Sequence, residues 1–307
     1  MRAAIYDSYG GADVLEVREV ADPPVGPDTV LVRARATSAN PVDWKIREGY
    51  LQGAYPHHLP VIPGWDVAGV VEAVGPAVRT GLEVGDEVYG YVRRDDVAFG
   101  TAAELVPAPE RTVTRKPASL SFEEAAAVPL AGLTAYQALT EALLVEAGDR
   151  VLVHAGAGGV GHLAVQIATA LGAEVVATAS ARNHDFLREL GAAEVVDYHA
   201  GPVSEQLEMP VDAVLDLVGG DALADAPNQV KDTERVASVV DAQTVLGMGG
   251  RYVFVRPERT HLDTLAALAE EGKLRVEVSA TYPLDRIADA HRASEQGHTR
   301  GKVVVTI

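Results

Sequence analysis

The sequence predicts an α/β protein of two domains, one β-rich and one built on a doubly wound parallel sheet. Three observations carry this. At 307 residues the chain exceeds the usual size of a single hydrophobic core. Within it, Val151-Leu-Val-His-Ala-Gly-Ala-Gly-Gly-Val-Gly161 runs from an apolar strand into a glycine cluster and then into a helical pattern over 162–171. From Arg150 onward strands and short helices alternate, an order that gives a parallel sheet covered on both faces.

In chain order, Met1-Arg-Ala-Ala-Ile-Tyr6 enters strand-like sequence directly, and strands are expected at 14–20, 29–37, 66–74 and 87–92. Pro/Gly clusters such as Asp22-Pro-Pro-Val-Gly-Pro27 separate them. A short helix is expected over 41–48, with proline in its first turn and Gly49 at its end. Val84-Gly-Asp-Glu-Val88 reads as a turn inside a small barrel. The period changes after about residue 116: Ser121 caps a turn containing Glu123 and Glu124, and beyond Pro129 an amphipathic helix is expected over 132–144, leading into the second domain. Strands follow at 150–154, 174–179, 194–197, 211–216 and 235–240. Residues 241–250 read as a loop or short helix, 251–255 as a strand, 262–271 as a helix and 275–280 as a strand. The tail reads as a helix over 284–296 and a strand over 301–307, with no internal repeat.

Composition narrows the partners. A formal net charge of −18 repels phosphate backbones and anionic membranes, so nucleic acid and membrane are excluded as partners and a phosphorylated ligand needs a local cationic pocket. The absence of cysteine removes disulfides, thiolate nucleophiles and cysteine-ligated zinc together. No apolar run reaches membrane-spanning length and no secretory leader pattern opens the chain, which makes a cytoplasmic location the expectation.

The glycine cluster is where chemistry enters. Gly156-Ala157-Gly158-Gly159-Val160-Gly161 fits G-x-G-x-x-G between a strand and a helix, so backbone can approach a pyrophosphate and the helix N–H groups can face it. Packing alone could also require glycines in so tight a turn. An NAD site normally carries Asp or Glu at the end of the next strand, but here that end reads Ala177-Thr-Ala-Ser-Ala-Arg-Asn183, and Asp185 falls inside the next helix. Ser180 and Arg182 suit a 2′-phosphate, one as hydroxyl donor and one as cationic fork, which points to NADPH. The alternative has Ser180 as a helix cap and Arg182 as a solvated first-turn residue.

Several separated stretches carry a family resemblance: Ser38-Ala-Asn-Pro-Val-Asp-Trp-Lys45, Pro63-Gly-Trp-Asp-Val-Ala-Gly69, Val84-Gly-Asp-Glu-Val-Tyr-Gly90, Ala131-Gly-Leu-Thr-Ala-Tyr136, Leu190-Gly-Ala-Ala-Glu-Val-Val-Asp-Tyr198 and Gly301-Lys-Val-Val-Val305. With the glycine cluster, they resemble the zinc-independent quinone oxidoreductase branch of the medium-chain dehydrogenase/reductase superfamily, plant alkenal/enone reductases being close relatives. The resemblance implies a GroES-like catalytic domain from both chain ends, 1–115 with 275–307, and an inserted Rossmann domain over 116–274. It also implies an active site in the cleft. Where zinc-dependent relatives have a Cys and a Gly-His-Glu motif, this chain has Asn40-Pro-Val-Asp43 and Gly64-Trp65-Asp66, so no catalytic metal is expected. Nor do the adjacent His57 and His58, which diverge on most backbones, suggest one.

Matching by position, the resemblance assigns Thr134, Gly159, Val160, Ser180, Arg182 and Tyr198 to the cofactor, with Gly156, Ala157 and Gly158 from the glycine turn. Val218, Val240, Phe254 and Val255 match stretches passing the nicotinamide half. Lys302 matches a basic residue near the cofactor, or is an ordinary exposed lysine. The implied activity is NADPH-dependent hydride transfer to a quinone or an α,β-unsaturated carbonyl, with donors meeting the developing negative charge. The catalytic candidates are Asn40, Asp43, Lys45 and Tyr50. Asn40 would bind nicotinamide or the substrate carbonyl, and Tyr50, Lys45 or solvent would supply the proton. In the alternative, Asp43 and Lys45 organise the helix and Tyr50 with Tyr55 forms an aromatic wall. Related enoyl reductases place a tyrosine one position later, where Leu51 stands. A reductase dedicated to one biosynthetic intermediate and a non-catalytic NADPH sensor are the alternatives. The strand over 251–255 resembles the edge through which family members pair as homodimers.

Overall fold

In the first of two units, Thr29–Ala39 is the longest strand, and both its neighbours and the chain's last strand are laid against it. A computed structural model describes residues 1–297 and 299–307. The first unit comprises Met1–Leu130, Pro257–Glu270 and Glu277–Ile307, and the second Ala131–Arg256 with Glu271–Val276. These limits differ from the expected 1–115 with 275–307 and 116–274. Residues 116–130 and the helix Arg259–Glu270 pack with the first unit, where Leu262 and Leu265 are fully buried and Tyr89 Oη donates to the Leu262 carbonyl at 2.6 Å.

In that unit a seven-stranded sheet runs Val278–Pro283, Lys302–Thr306, Thr29–Ala39, Asp66–Val74, Glu87–Tyr91, Val113–Arg115, with Leu105–Pro109 also paired to Thr29–Ala39. Its inward residues, among them Val30, Val32, Val67, Val71, Val88, Val106 and Val113, form one core. The β-branched alternation along Thr29–Ala39 supplies both the strand propensity and the buried face. Lys302–Thr306 runs antiparallel to it with Val303 opposite Ala39, a register that brings Lys302 to Asn40. The expected strand at 275–280 begins later, at Val278, because both backbone groups of Arg275 are bonded by the Gln166 side chain.

The second unit holds a six-stranded parallel sheet in the order Glu194–Val196, Glu174–Thr178, Arg150–Val153, Ala213–Asp216, Val236–Ser238, Arg251–Tyr252. Relabelled by chain position this is 3-2-1-4-5-6, the doubly wound arrangement, whose switch point lies between the first and fourth strands. Leu152, Val176, Val214, Leu223, Val236 and Val245 belong to its core.

Three expected elements differ. The helix after Pro129 spans Pro129–Gln137 and is not amphipathic, Leu133, Ala135 and Gln137 being buried alike. It ends in a π-helical turn, Ala138–Ala142. The strand expected over 235–240 covers only Val236–Ser238, because the Arg235 guanidinium is drawn to Asp149 at 2.8 Å and to the carbonyls of Leu143 and Leu144 that end the π turn. Residues 251–255 form a strand only at Arg251–Tyr252, and residues 241–250 contain a helix, Ala242–Gly247, capped by Asp241. No helix among the described residues is long and apolar enough to cross a membrane.

Candidate functional site

In the second unit the candidate residues gather at the carboxyl ends of the strands. After Arg150–Val153 the chain turns through Ala155, whose φ of +48° is unusual for a residue with a side chain. The turn is pinned to the second strand, since Ala155 N–H donates to Thr178 Oγ1 at 3.0 Å and Gly156 N–H to the Thr178 carbonyl at 2.9 Å. A Cβ on Gly161, the first residue of helix Gly161–Ala170, would lie 2.3 Å from the Ala155 carbonyl oxygen and 2.8 Å from Gly156 Cα. On Gly156 it would meet Ala177 Cβ at 2.9 Å. Close packing thus requires glycine at two points, and the helix behind the turn directs its free N–H groups outward. Gly158, Gly159 and Val160 are half-buried and Ala157 is buried.

At the end of the second strand, Ser180 precedes a 3₁₀ turn, Ala181–Asn183, without a capping hydrogen bond from its side chain, and Arg182 is exposed. Asp185 lies in the helix His184–Glu189 and is paired with Arg188 at 2.8 Å, so no acid occupies the strand end. Tyr198, Val218, Val240 and Phe254 follow the third, fourth, fifth and sixth strands, and each exposes much of its side chain, Val218 to 54% and Val240 to 44%. Val218, Val240 and Phe254 follow adjacent strands at the carboxyl ends of the sheet, where exposed apolar side chains suit a flat organic ligand, while Tyr198 follows the strand at the opposite side. Thr134 and Val255 are buried.

In the first unit the candidates divide. Asn40 precedes helix Pro41–Arg47, with Pro41 in its first turn and Gly49 beyond its end at φ +86°. Its amide is 2% exposed, with Nδ2 donating to Asp66 Oδ2 at 2.8 Å and Oδ1 accepting from Lys302 Nζ. Asp43 accepts the Asn40 backbone N–H at 2.7 Å. Asp66 also receives Ser38 Oγ at 2.6 Å and the Leu130 N–H at 2.7 Å. Two carboxyls and one ammonium thus share a buried site organised by one amide. Burial pushes Asp43 up to about 7, with Asp66 adding to the rise while the Asn40 N–H and Lys302 oppose it. Burial also raises Asp66, against Lys302, Ser38 and Asn40, and it lowers Lys302 against the pull of both carboxylates.

Lys45 and Tyr50 stand apart from this cluster and flank Trp44. The Lys45 ammonium lies 5.6 Å from its ring centre, and Tyr50, 68% exposed, packs edge-on at 6.3 Å. Lys302 is not the exposed lysine of one reading, being 4% exposed. Trp65, in place of the histidine of the Gly-His-Glu motif set out above, packs edge-on against Tyr55 at 6.5 Å and Tyr91 at 6.0 Å. His57 Nδ1 is 2.9 Å from Tyr9 Oη, whereas His58 faces Asp96 at 3.9 Å, so the two imidazoles diverge. Among the described residues no group of three or more His, Asp or Glu side chains is placed to hold a metal.

Sequence reasoning missed Asp66 as a member of the site, treating it as the altered end of a metal motif, and it missed Asp216. In each case the available signal was an acid within an otherwise apolar strand, Asp66-Val-Ala-Gly-Val-Val71 and Ala213-Val-Leu-Asp216. An unpaired charge is rarely buried without a partner.

Residues 26–118 match the model of the alcohol dehydrogenase GroES-like domain, and residues 190–305 that of a zinc-binding dehydrogenase domain. The chain is 35% identical to a chloroplast envelope quinone oxidoreductase homolog of Arabidopsis thaliana, over 99% of this chain and 98% of that one. It is 37% identical to a chloroplastic NADPH-dependent alkenal/one oxidoreductase of the same plant, over 99% of this chain and 79% of that one. Among solved structures, the quinone oxidoreductase from Coxiella burnetii is similar with a TM-score of 0.91 and 37% identity, covering 100% of this chain and 99% of that one.

Proposed function

Because the chain belongs to the zinc-independent quinone oxidoreductase branch of the medium-chain dehydrogenase/reductase superfamily, we propose that it is an NADPH-dependent, metal-free reductase of quinones or α,β-unsaturated carbonyls. The observation that carries the reading is the end of the second Rossmann strand, where Ser180 and Arg182 stand with no acid beside them. A cationic fork and a hydroxyl receive a 2′-phosphate, and a carboxylate there would repel it. NADPH, when bound, supplies the hydride.

The chain's own residues do the rest. The glycine turn admits the pyrophosphate to the N-terminus of helix Gly161–Ala170. Tyr198, Val218, Val240 and Phe254 cover the apolar parts of the ligand and exclude water from them. Asn40, with both ends of its amide engaged, acts by fixing Lys302 and Asp66, and Lys302 acts through Asn40. Proton delivery to the reduced product falls to Tyr50, Lys45 or solvent, and of the two side chains Tyr50 is the more exposed.

NADPH oxidation followed with a panel of quinones, alkenals and cyclic enones tests the proposal. Turnover is expected with at least one class, and tight NADPH binding with turnover of none would overturn it in favour of a sensor. Arg182→Ala should raise the KM for NADPH about tenfold or more, the loss of one charge-assisted contact, and leave that for NADH in place. Equal affinity of the native chain for both cofactors would sink the phosphate assignment.

The same reading pairs two copies through Arg251–Tyr252, one of the two edge strands of the six-stranded sheet, in which Tyr252 is exposed. An open edge with an apolar face is a liability unless a partner strand occupies it. Light scattering at micromolar concentration should report a dimer, and a monomer would contradict the pairing. Cytoplasmic residence completes the reading and is checked by cell fractionation.

A further inference from the structure

We propose that Asp216 is the positioning residue for the nicotinamide half of the dinucleotide site: its one buried carboxylate fixes together the two loops that carry Val218 and Val240. The inference rests on the reading of these strand ends as an NADPH site.

Asp216 closes the strand Ala213–Asp216 and is wholly buried. Its Oδ1 accepts the N–H groups of Val218 at 3.1 Å and Gly219 at 3.0 Å. On the other side, Oδ2 accepts Gly219 N–H at 3.1 Å and the Ser238 hydroxyl at 2.7 Å. Ser238 ends the neighbouring strand, and its oxygen in turn accepts the N–H groups of Val240 and Asp241, each at 3.2 Å. Both loops that present apolar side chains to solvent are therefore tied, one directly and one through a single hydroxyl, to the same carboxylate. The loops also meet: Gly219 sits at φ +75°, and a Cβ there would be 3.2 Å from Val240 Cγ2.

On the third side stands His154, the residue between the first strand and the glycine turn. Its Nδ1 is 3.2 Å from Asp216 Oδ1 and its Nε2 is 3.0 Å from Gln229 Oε1. The Gln229 amide nitrogen is committed to Asp225 at 2.9 Å, which fixes its oxygen toward the ring, so both imidazole nitrogens face acceptors. Three adjacent strand ends, the first, fourth and fifth, are locked by this set. Burial pushes the Asp216 carboxyl up, but the hydrogen bonds from His154, Ser238 and Gly219 prevail and hold it below its ordinary value. A carboxylate kept ionised in a dry site and saturated by donors is a rigid anchor. The fold alone does not require two valines to stand in solvent there, whereas a flat ring pressed between them does.

The test compares two ligands, NADPH and 2′,5′-ADP, which carries the adenosine and the 2′-phosphate but no nicotinamide. Binding of each is measured calorimetrically on the native chain, Asp216→Asn and Ser238→Ala, with circular dichroism to monitor folding. Asp216→Asn should weaken NADPH about tenfold or more and Ser238→Ala roughly three- to tenfold, while 2′,5′-ADP stays within about twofold. Unchanged NADPH affinity in both variants overturns the inference. So does parallel weakening of both ligands, which would mean that the network serves the fold alone. If Asp216→Asn does not fold, Ser238→Ala, which leaves Asp216 its other donors, carries the comparison. A native chain that binds neither ligand would instead remove the reading of the site on which the inference stands.

Discussion

Asp43 offers the sharpest handle at the scale of single residues. Its carboxyl is raised by burial to about 7, so the folded chain holds a proton that the unfolded chain has released. For a raised acid, that contribution to stability is complete below the ordinary carboxylate range and is lost as pH climbs to about 7. Asp43→Asn should accordingly gain on the native chain between about pH 4 and 7 and hold a constant advantage above. The gain is at most about 4 kcal/mol, since one pKa unit is about 1.4 kcal/mol. Urea midpoints measured across that range check it, and a difference independent of pH would refute it. Asn40→Ala should leave Lys302 and Asp66 each short of a partner, lowering stability by about 1–3 kcal/mol and kcat along with it. The sequence marked the short helix that Asn40 precedes and Asp43 lies in, because Pro41 and Gly49 flag its ends. It was silent on what Asn40 holds: Lys302 and Asp66 are far away in sequence and arrive through strand register, which no local pattern encodes.

Among the elements, the strand-turn-helix at Arg150–Ala170 was legible because glycine spacing and apolar periodicity state the same geometry twice. Gly161→Ala places a methyl group 2.3 Å from a carbonyl oxygen, so the turn must open. NADPH binding should fall by tenfold or more, on the order of 1.4 kcal/mol or above, and calorimetry that finds unaltered affinity would show the turn to be compliant. The helix after Pro129 was misread as amphipathic because its glycine, alanine and threonine positions suggest exposure, whereas small residues here permit close burial on all sides. The strand is shorter than the expected 235–240 because Arg235, which fits an alternating pattern in sequence, does not join it. Its guanidinium serves the π turn instead.

For the whole molecule, a net charge of −18 opposes every encounter with an anionic cofactor, and only local groups such as Arg182 counter it. Added salt screens the long-range repulsion first, so the association rate for NADPH should rise, by about two- to fivefold, as ionic strength goes from roughly 0.01 to 0.15 M. Stopped-flow fluorescence would check this, and a falling rate would mean that a cationic funnel dominates. The two-unit organisation was legible in the change of hydrophobic period, but its limits were not, because the helix Arg259–Glu270 follows the Rossmann pattern in sequence and packs with the other unit. That discontinuity has a temporal consequence on the ribosome. The second unit is nearly one stretch of chain, so its sheet can be completed while later residues are still being made. The first unit waits: Thr29–Ala39 lacks its partner Lys302–Thr306, and Asn40 its ammonium, until more than 260 residues later in synthesis. For most of translation Asp43 and Asp66 lack Lys302, and the edge of Thr29–Ala39 that Val303 will cover stays open, so the buried acids and the sheet reach their final environment together, only as the last strand is made.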